Sequence, residues 1–206
     1  MEKVLNITKN QLDALREVGN IGSGNAATAL AQFLNRKIDM TVPNAAIMDL
    51  DDIPNLVGGP KQTILGVFLR IMGEISGRFL LFIPENTSIK MLRYLIPECK
   101  IESLTNIDEI ESSCLREIAN ILAGAFLNAL SVLTKTTMLN SLPYLSFDYS
   151  GAIIDNVVAD MTAVSDKVLM METSLIEEKE NLLLHIFILP APNSLELLLD
   201  RIGASN

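Results

Sequence analysis

LDALREVGNIGSGNAATALA at residues 12–31 and SSCLREIANILAGAFLNALS at residues 112–131 align with each other without gaps. Eight residues of the first stretch recur 100 positions later in the second. They are Leu15, Arg16, Glu17, Asn20, Ile21, Gly24, Ala29 and Leu30. Pro43 lies opposite Pro143 at the same offset, so the similarity extends beyond these stretches. We interpret this as an internal duplication, with homologous halves at about residues 1–100 and 101–206.

Composition limits the classes of protein that the chain resembles. The 206 residues are 49% hydrophobic and 20% charged, which predicts one folded domain with a sizeable core. The net charge of −9 argues against a nucleic-acid partner, which would need clustered Lys and Arg. One His and two Cys are too few for a zinc site or a catalytic triad, so we expect no metal of its own.

The expected location is the cytoplasm, without membrane insertion. The first nine residues, MEKVLNITK, lack the apolar segment of a signal peptide. The longest nearly continuous apolar run, from Leu182 to Pro192, is too short to span a bilayer. Two cysteines without a disulfide framework fit a reducing compartment.

Hydrophobic periodicity predicts the same order of elements in both halves. Long helices are expected at about 9–35 and 107–135, each followed by short strands around a proline, a helical turn, a hairpin and a shorter helix. With only two copies, we expect one domain over residues 1–206 in which the strands merge. The fold class is therefore α/β (α+β), a pseudo-two-fold duplicated domain with a mostly antiparallel sheet and two long helices packed on it.

A polar stripe lies opposite the apolar face of each long helix. At about 100° per residue, Asp13, Glu17, Asn20 and Gly24 share one side of the first helix. The second helix repeats the stripe with the residues Ser113, Glu117, Asn120 and Gly124. Either stripe alone is typical of a solvated surface. Asparagine disfavours mid-helix positions, however, so its recurrence at the same phase indicates that the amide has a use.

The chemistry available to this stripe is narrow. A carboxylate and an amide without His, Cys or a second carboxylate do not form an activated nucleophile. An amide is able to orient a water for attack on a phosphoryl group, and a carboxylate pairs with a basic residue of a partner. Such a site works only when the partner brings the phosphate and the metal.

The spacing Asp13-x-x-x-Glu17-x-x-Asn20, repeated as Ser113-x-x-x-Glu117-x-x-Asn120, resembles the signature of the CheC phosphatases of bacterial chemotaxis, a superfamily that includes CheX and FliY. The phrase GNIGSGNAATAL at residues 19–30 is similar to the first helix of CheC. The resemblance implies hydrolysis of the aspartyl-phosphate of the response regulator CheY. It implies that Asn20 and Asn120 orient the attacking water and that Glu17 and Glu117 dock the regulator.

The resemblance also implies minor roles and partners. Asp13 and Ser113 fill the leading motif position, where we expect support only. No intrinsic cofactor is implied, because Mg²⁺ is supplied by the phosphorylated regulator. Two intact motifs in one chain imply a monomer. A second partner, the receptor deamidase CheD, is implied on the segment 151–158, with Asp155 as the first candidate contact.

Two other function classes remain open from the residues. A non-catalytic CheC-like interaction module of the flagellar switch or the adaptation system shares the resemblance, but both motifs here are intact. A small-molecule-binding domain would need a polar pocket, which a sequence does not reveal. The glycines at 19, 22 and 24 lie inside a helical pattern, with Gly19 and Gly22 on its core face, so we expect close helix packing rather than a phosphate loop. His185 is expected to be a core residue, and Cys114 a packing residue.

Overall fold

The computed structural model describes residues 8–159, 167–177 and 180–203. Within these residues the helices are α1 (Lys9–Leu34), α2 (Ile53–Leu56), α3 (Glu85–Leu95), α4 (Glu109–Thr134), α5 (Ser150–Ala159) and α6 (Pro192–Gly203). The strands are β1 (Ile38–Asp49), β2 (Thr63–Gly73), β3 (Gly77–Pro84), β4 (Met138–Asn140), β5 (Tyr144–Tyr149), β6 (Lys167–Glu177) and β7 (Glu180–Pro190). The predicted mixed α/β class with two long helices is confirmed.

The described strands form one sheet in which every pair is antiparallel. Its order is β1-β6-β7-β3-β2-β4, and β5 also pairs with β2. The sheet interleaves the two predicted halves, because β1 pairs with β6, and β4 and β5 pair with β2. The expectation that the strands merge into one sheet is therefore confirmed.

Helices cover both faces of the sheet. On one face α1, α3, α4 and α6 contribute to the larger hydrophobic core, and on the other α2 and α5 contribute to a smaller one. Strand β3 supplies both, with Phe79 and Leu81 in the larger core and Leu80 and Phe82 in the smaller. A strand buried on both faces reads as a continuous apolar run, which explains why this segment does not alternate.

The two motif helices have matching ends. Thr8 and Gln11 form a capping box at the start of α1, and Asp108 and Glu111 form one at the start of α4. Each box satisfies backbone donors that the first helical turn leaves free. Both helices are 26 residues long and end on a left-handed cap residue, Asn35 and Lys135 respectively. Local sequence thus fixes where each motif lies along its helix.

Three features differ from the predicted elements. Instead of two strands around Pro43, β1 is one strand with a bulge between Thr41 and Asn44. The second helix begins at Glu109 rather than 107. The charged run Glu-Glu-Lys-Glu at residues 177–180 predicts a solvated turn, but Glu177 is buried and its Oε1 lies 2.7 Å from Nη1 of Arg36. A buried carboxylate needs such a partner.

Helix α4 is long and apolar enough, by length and composition alone, to cross a membrane. Half of its most apolar window is buried within the protein. Its core side includes Leu115, Leu122 and Phe126, whereas Glu117 and Asn120 are exposed. This amphipathic distribution is typical of a core helix of a globular domain.

Candidate functional site

The first candidate site lies on the exposed side of α1. Asp13, Glu17 and Asn20 are exposed, as the helical periodicity predicts. Asp13 Oδ1 lies 3.3 Å from Nη1 of Arg16 on the same helix. No hydrogen bond or ion pair joins the side chains of Glu17 and Asn20 to any other residue that the structure describes. The carboxylate and the amide are therefore free to meet a partner.

Small residues keep the approach to this site open. A β-carbon on Gly24, one turn beyond Asn20, would meet no atom within 4 Å. Gly19 and Gly22 face inward instead, where a β-carbon would lie 3.1 Å from Cγ1 of Val42 and 2.8 Å from Cδ1 of Phe126 respectively. Close packing of the helix is therefore confirmed at Gly19, against strand β1, and at Gly22, against helix α4, whereas Gly24 belongs to the exposed stripe.

The second candidate site repeats this arrangement on α4. Ser113, Glu117 and Asn120 are exposed, and a β-carbon on Gly124 would also meet open space. The structure thus brings Glu and Asn together at a spacing of three residues on both helices, where side chains are neighbours on the helix surface.

The second amide has a partner that sequence reasoning missed. Nδ2 of Asn140, the last residue of β4, donates to Oδ1 of Asn120 at 2.9 Å. The position equivalent to Asn140 at the 100-residue offset is Met40, which is buried in β1. The sequence does show that Asn140 replaces Met40 in the second half. This difference does not predict a contact with Asn120, because the contact depends on where the strand lies in the fold.

The surroundings of the second carboxylate are also distinctive. A largely apolar groove of about 360 Å³ adjoins Glu117, between the end of α1 and the start of α4. It is lined by Phe33, Ile110 and Cys114 together with polar residues of α4. Cys114 is half-buried and contributes to this wall, in line with its predicted packing role, and burial raises the pKa of its thiol. A raised pKa keeps the thiol protonated and unreactive.

Asp155 lies apart from both motifs. It is exposed on α5, which packs on the smaller core, across the sheet from α1 and α4. A larger cavity of about 590 Å³ lies beside α5 and is lined by Arg70, Arg78, Tyr144 and Asn156 among others. None of the motif residues lines it. Asp155 and this cavity are therefore distinct from the motif residues themselves.

The donor set at each stripe is small. The second stripe offers one carboxylate and one amide, and the first adds only the carboxylate of Asp13, which lies 3.3 Å from Arg16, whereas Mg²⁺ and Ca²⁺ take six or more oxygen ligands. Across residues 8–159, 167–177 and 180–203, no three His, Cys, Asp or Glu side chains are grouped closely enough to hold a metal ion. His185, the sole histidine, is buried in β7, as expected, so it is not positioned to act as a base at the protein surface. What each stripe offers chemically is a hydrogen-bonding amide and a negative charge.

Comparison with known proteins places this arrangement in a family. The model of the CheC-like family matches residues 11–47, which contain the first motif. The CheY-P phosphatase CheC of Bacillus subtilis (strain 168) is 39% identical over 203 residues, 97% of each chain. The flagellar motor switch phosphatase FliY of the same organism is 25% identical over 129 residues, 63% of this chain and 33% of FliY.

The fold has a solved counterpart as well. The crystal structure of Thermotoga maritima FliY matches with a TM-score of 0.77 at 20% identity, covering 99% of this chain and 100% of that one. At this identity the match supports the fold alone. Near-complete coverage at 39% identity supports more, since two chains so alike along their whole length share a family. With a polar Glu and Asn pair exposed on each of its two long helices, this chain belongs to the CheC family.

Proposed function

We propose that the protein is a phosphatase that hydrolyses the aspartyl-phosphate of the response regulator CheY. The observation that carries the proposal is the exposed Glu and Asn pair on both α1 and α4. The CheC relative that is 39% identical is named a CheY-P phosphatase. A Glu and Asn pair without a neighbouring base forms no activated nucleophile, which fits a reaction in which water is the nucleophile.

In the proposed mechanism Asn20 and Asn120 each orient a water in line with the phosphorus atom. The water oxygen bonds to phosphorus as the bond to the aspartyl oxygen breaks, which yields inorganic phosphate and a free carboxylate on the regulator. The amide supplies a hydrogen-bond acceptor for the water and donors for a phosphoryl oxygen. Holding the water in place removes part of the entropic barrier.

Glu17 and Glu117 dock the regulator by pairing with one of its basic residues. Asp13 supports the first stripe through its pair with Arg16, and Ser113 takes the corresponding position in the second. Mg²⁺, which neutralises charge on the phosphoryl group, belongs to the regulator, since each stripe has too few oxygen ligands to hold it.

A decay assay of phosphorylated CheY tests this function. Asn20→Ala and Asn120→Ala should each slow the accelerated decay, and the double variant should abolish it. Asn25→Ala is a matched control, because Asn25 is exposed on α1 but lies about 80° around the helix from Glu17, off the stripe. A folded double variant with full activity would refute the mechanism. A wild-type protein that binds CheY without accelerating decay would instead favour a non-catalytic switch or adaptation module.

We further propose that CheD binds at α5, with Asp155 in the contact. The exposure of Asp155 and its separation from the motif helices support this, because CheY and CheD would then occupy opposite sides of the sheet. Asp155→Arg should weaken CheD binding and leave CheY-phosphate decay unchanged. If calorimetry gave the same CheD affinity for the wild-type protein and for Asp155→Arg, the CheD contact would not include Asp155.

The proposed working form is a cytoplasmic monomer, one domain made of two homologous halves. Both sites lie on one chain, so no second copy is needed to complete either. Sedimentation at micromolar concentration should give the mass of a single chain, 22.6 kDa.

A further inference from the structure

We propose that Asn140 is a positioning residue of the second site, which fixes the amide of Asn120 before CheY binds. The proposal depends on the water-orienting role proposed above. Its basis is the hydrogen bond of 2.9 Å from Nδ2 of Asn140 to Oδ1 of Asn120.

The donor itself is firmly held. Asn140 pairs in register with Ile71 of β2, and its Nδ2 also donates to the carbonyl oxygen of Ser141 at 3.1 Å. Ser141 is fixed to Arg70 by two bonds of 2.9 Å, backbone N–H to Arg70 carbonyl and Arg70 N–H to Ser141 Oγ. The backbone of Asn140 is therefore held by strand pairing, and its side-chain amide is held by the bond to Ser141.

Strand β4 is also fixed at its other end. The backbone N–H of Met138 donates to Oγ of Ser131 on α4 at 3.2 Å. Gly73 of β2, at φ 125°, approaches the carbonyl of Thr137 so closely that a β-carbon would lie 2.0 Å from its oxygen. Strand and helix thus form one rigid unit across which the Asn140–Asn120 bond is made.

This bond selects one orientation of the Asn120 amide. A carbonyl oxygen has two lone pairs, so Oδ1 is able to accept from Asn140 and from the attacking water together. Nδ2 of Asn120 makes no bond to any described residue and keeps both donors for a phosphoryl oxygen. Groups that are oriented before the substrate arrives need no reorganisation during the reaction.

Among the described residues, the first site has no such device. The side chain of Met40, at the equivalent position, has no hydrogen-bond donor and is 8% exposed, and the side-chain amide of Asn20 has no partner there. We therefore expect the second site to turn over faster than the first. The distinction comes from the strand after each helix and not from the motifs, which are the same.

The test isolates the second site by placing Asn20→Ala in the background. Adding Asn140→Ala or Asn140→Asp should lower kcat for CheY-phosphate by about 3- to 10-fold with little change in KM, as expected for loss of one hydrogen bond. The Asp variant keeps the shape of Asn but has no donor at neutral pH. Both changes should leave kcat unaltered in the Asn120→Ala background, where only the first site acts.

Each outcome is decisive. The positioning role would be overturned if the Asn140 substitutions left kcat unchanged or raised it in the Asn20→Ala background. It would also be overturned if kcat fell equally in the Asn20→Ala and Asn120→Ala backgrounds. An inactive Asn20→Ala/Asn120→Ala variant together with no effect of Asn140 refutes the positioning role and leaves the phosphatase proposal intact. A measurement on the unmutated protein is independent of folding defects: the side-chain amide of Asn120 should have a higher NMR order parameter than that of Asn20, and equal mobility would refute the proposal.

Discussion

Gly22 on α1 lies against the ring of Phe126 on α4, so closely that a β-carbon would come within 2.8 Å of the ring. Phe126 is fully buried, and its Cα is only 3.2 Å from the same point. The absence of a side chain on Gly22 thus sets the separation of the two motif helices. Since Glu17 and Asn20 precede Gly22 on α1, this contact also anchors the first site.

Gly22→Ala should destabilise the protein by about 1–3 kcal/mol, because the ring and helix α4 must move to admit a methyl group. Gly24→Ala is the matched control. It adds the same methyl group to open space in the same helix and should stabilise by roughly 0.5–1 kcal/mol. Urea denaturation measures both. Equal effects of the two substitutions would contradict the packing described for α1 and α4.

Much of the fold was predictable because its signals are local. Apolar periodicity is written in neighbouring residues, so both long helices were expected within a few positions, and the capping boxes at Thr8 and Asp108 mark where each one begins. The strand around Pro43 was harder, since a bulge lets one strand pass a proline that would otherwise end it. The burial of Glu177 was not predictable, because its partner Arg36 is 141 positions away in sequence.

Glu17→Gln and Glu117→Gln should weaken CheY binding without loss of fold stability. A partly desolvated, charge-assisted contact is worth roughly 1.5–3 kcal/mol, so each change should lower affinity at its own site by about 10- to 100-fold. Both carboxylates are exposed, so neither supports the core. Calorimetric titration of CheY and thermal melting check the two halves of the prediction. A large drop in melting temperature with unchanged binding would mean that these carboxylates are structural.

The motif residues of the candidate site were predictable, whereas their inequivalence was not. Helical phase predicts that Glu17, Asn20, Glu117 and Asn120 are exposed, and each is, whereas their roles come from the duplicated motif and its resemblance to CheC and stay predictions. Asn140 reaches Asn120 because β4 folds back beside α4, where its pairing with β2 and its bond to Ser131 hold it. A contact that depends on strand order is invisible to periodicity.

Arg36→Ala should lower the free energy of unfolding by about 1–3 kcal/mol. The substitution leaves the buried Glu177 carboxylate without the guanidinium 2.7 Å away, and it removes the contact of Arg36 with the Tyr94 ring, 4.7 Å from the centroid. Arg36 is itself partly exposed, which places the estimate below that for a fully buried pair. Lys37→Ala, at the exposed neighbouring position, should change stability by less than about 0.5 kcal/mol. Similar losses for both variants, measured in urea, would show that Glu177 does not need its partner.

His185 should make the protein less stable as the pH falls. Burial lowers the pKa of His185 to about 4, from an ordinary value of 6.5. The side chain is 3% exposed, stacks on Phe187 with centroids 6.3 Å apart, and has no partner for Nδ1 among the described residues. Between pH 6.5 and 4 the unfolded chain binds a proton that the folded protein excludes, so this contribution is complete above pH 6.5 and declines below it.

The expected size follows from about 1.4 kcal/mol for each unit of pKa shift. From pH 7 to pH 5 the wild-type protein should lose about 2 kcal/mol more stability than His185→Gln, in which the titrating group is absent. Urea unfolding at both pH values gives the comparison, and contributions of other groups cancel between the two proteins. Glu172 is the titratable residue directly opposite His185 on β6, so Glu172→Gln is the control and should retain the wild-type pH dependence. If His185→Gln lost stability as steeply as wild type, another group would be responsible; if Glu172→Gln abolished the dependence, the charge on Glu172 rather than burial would govern His185.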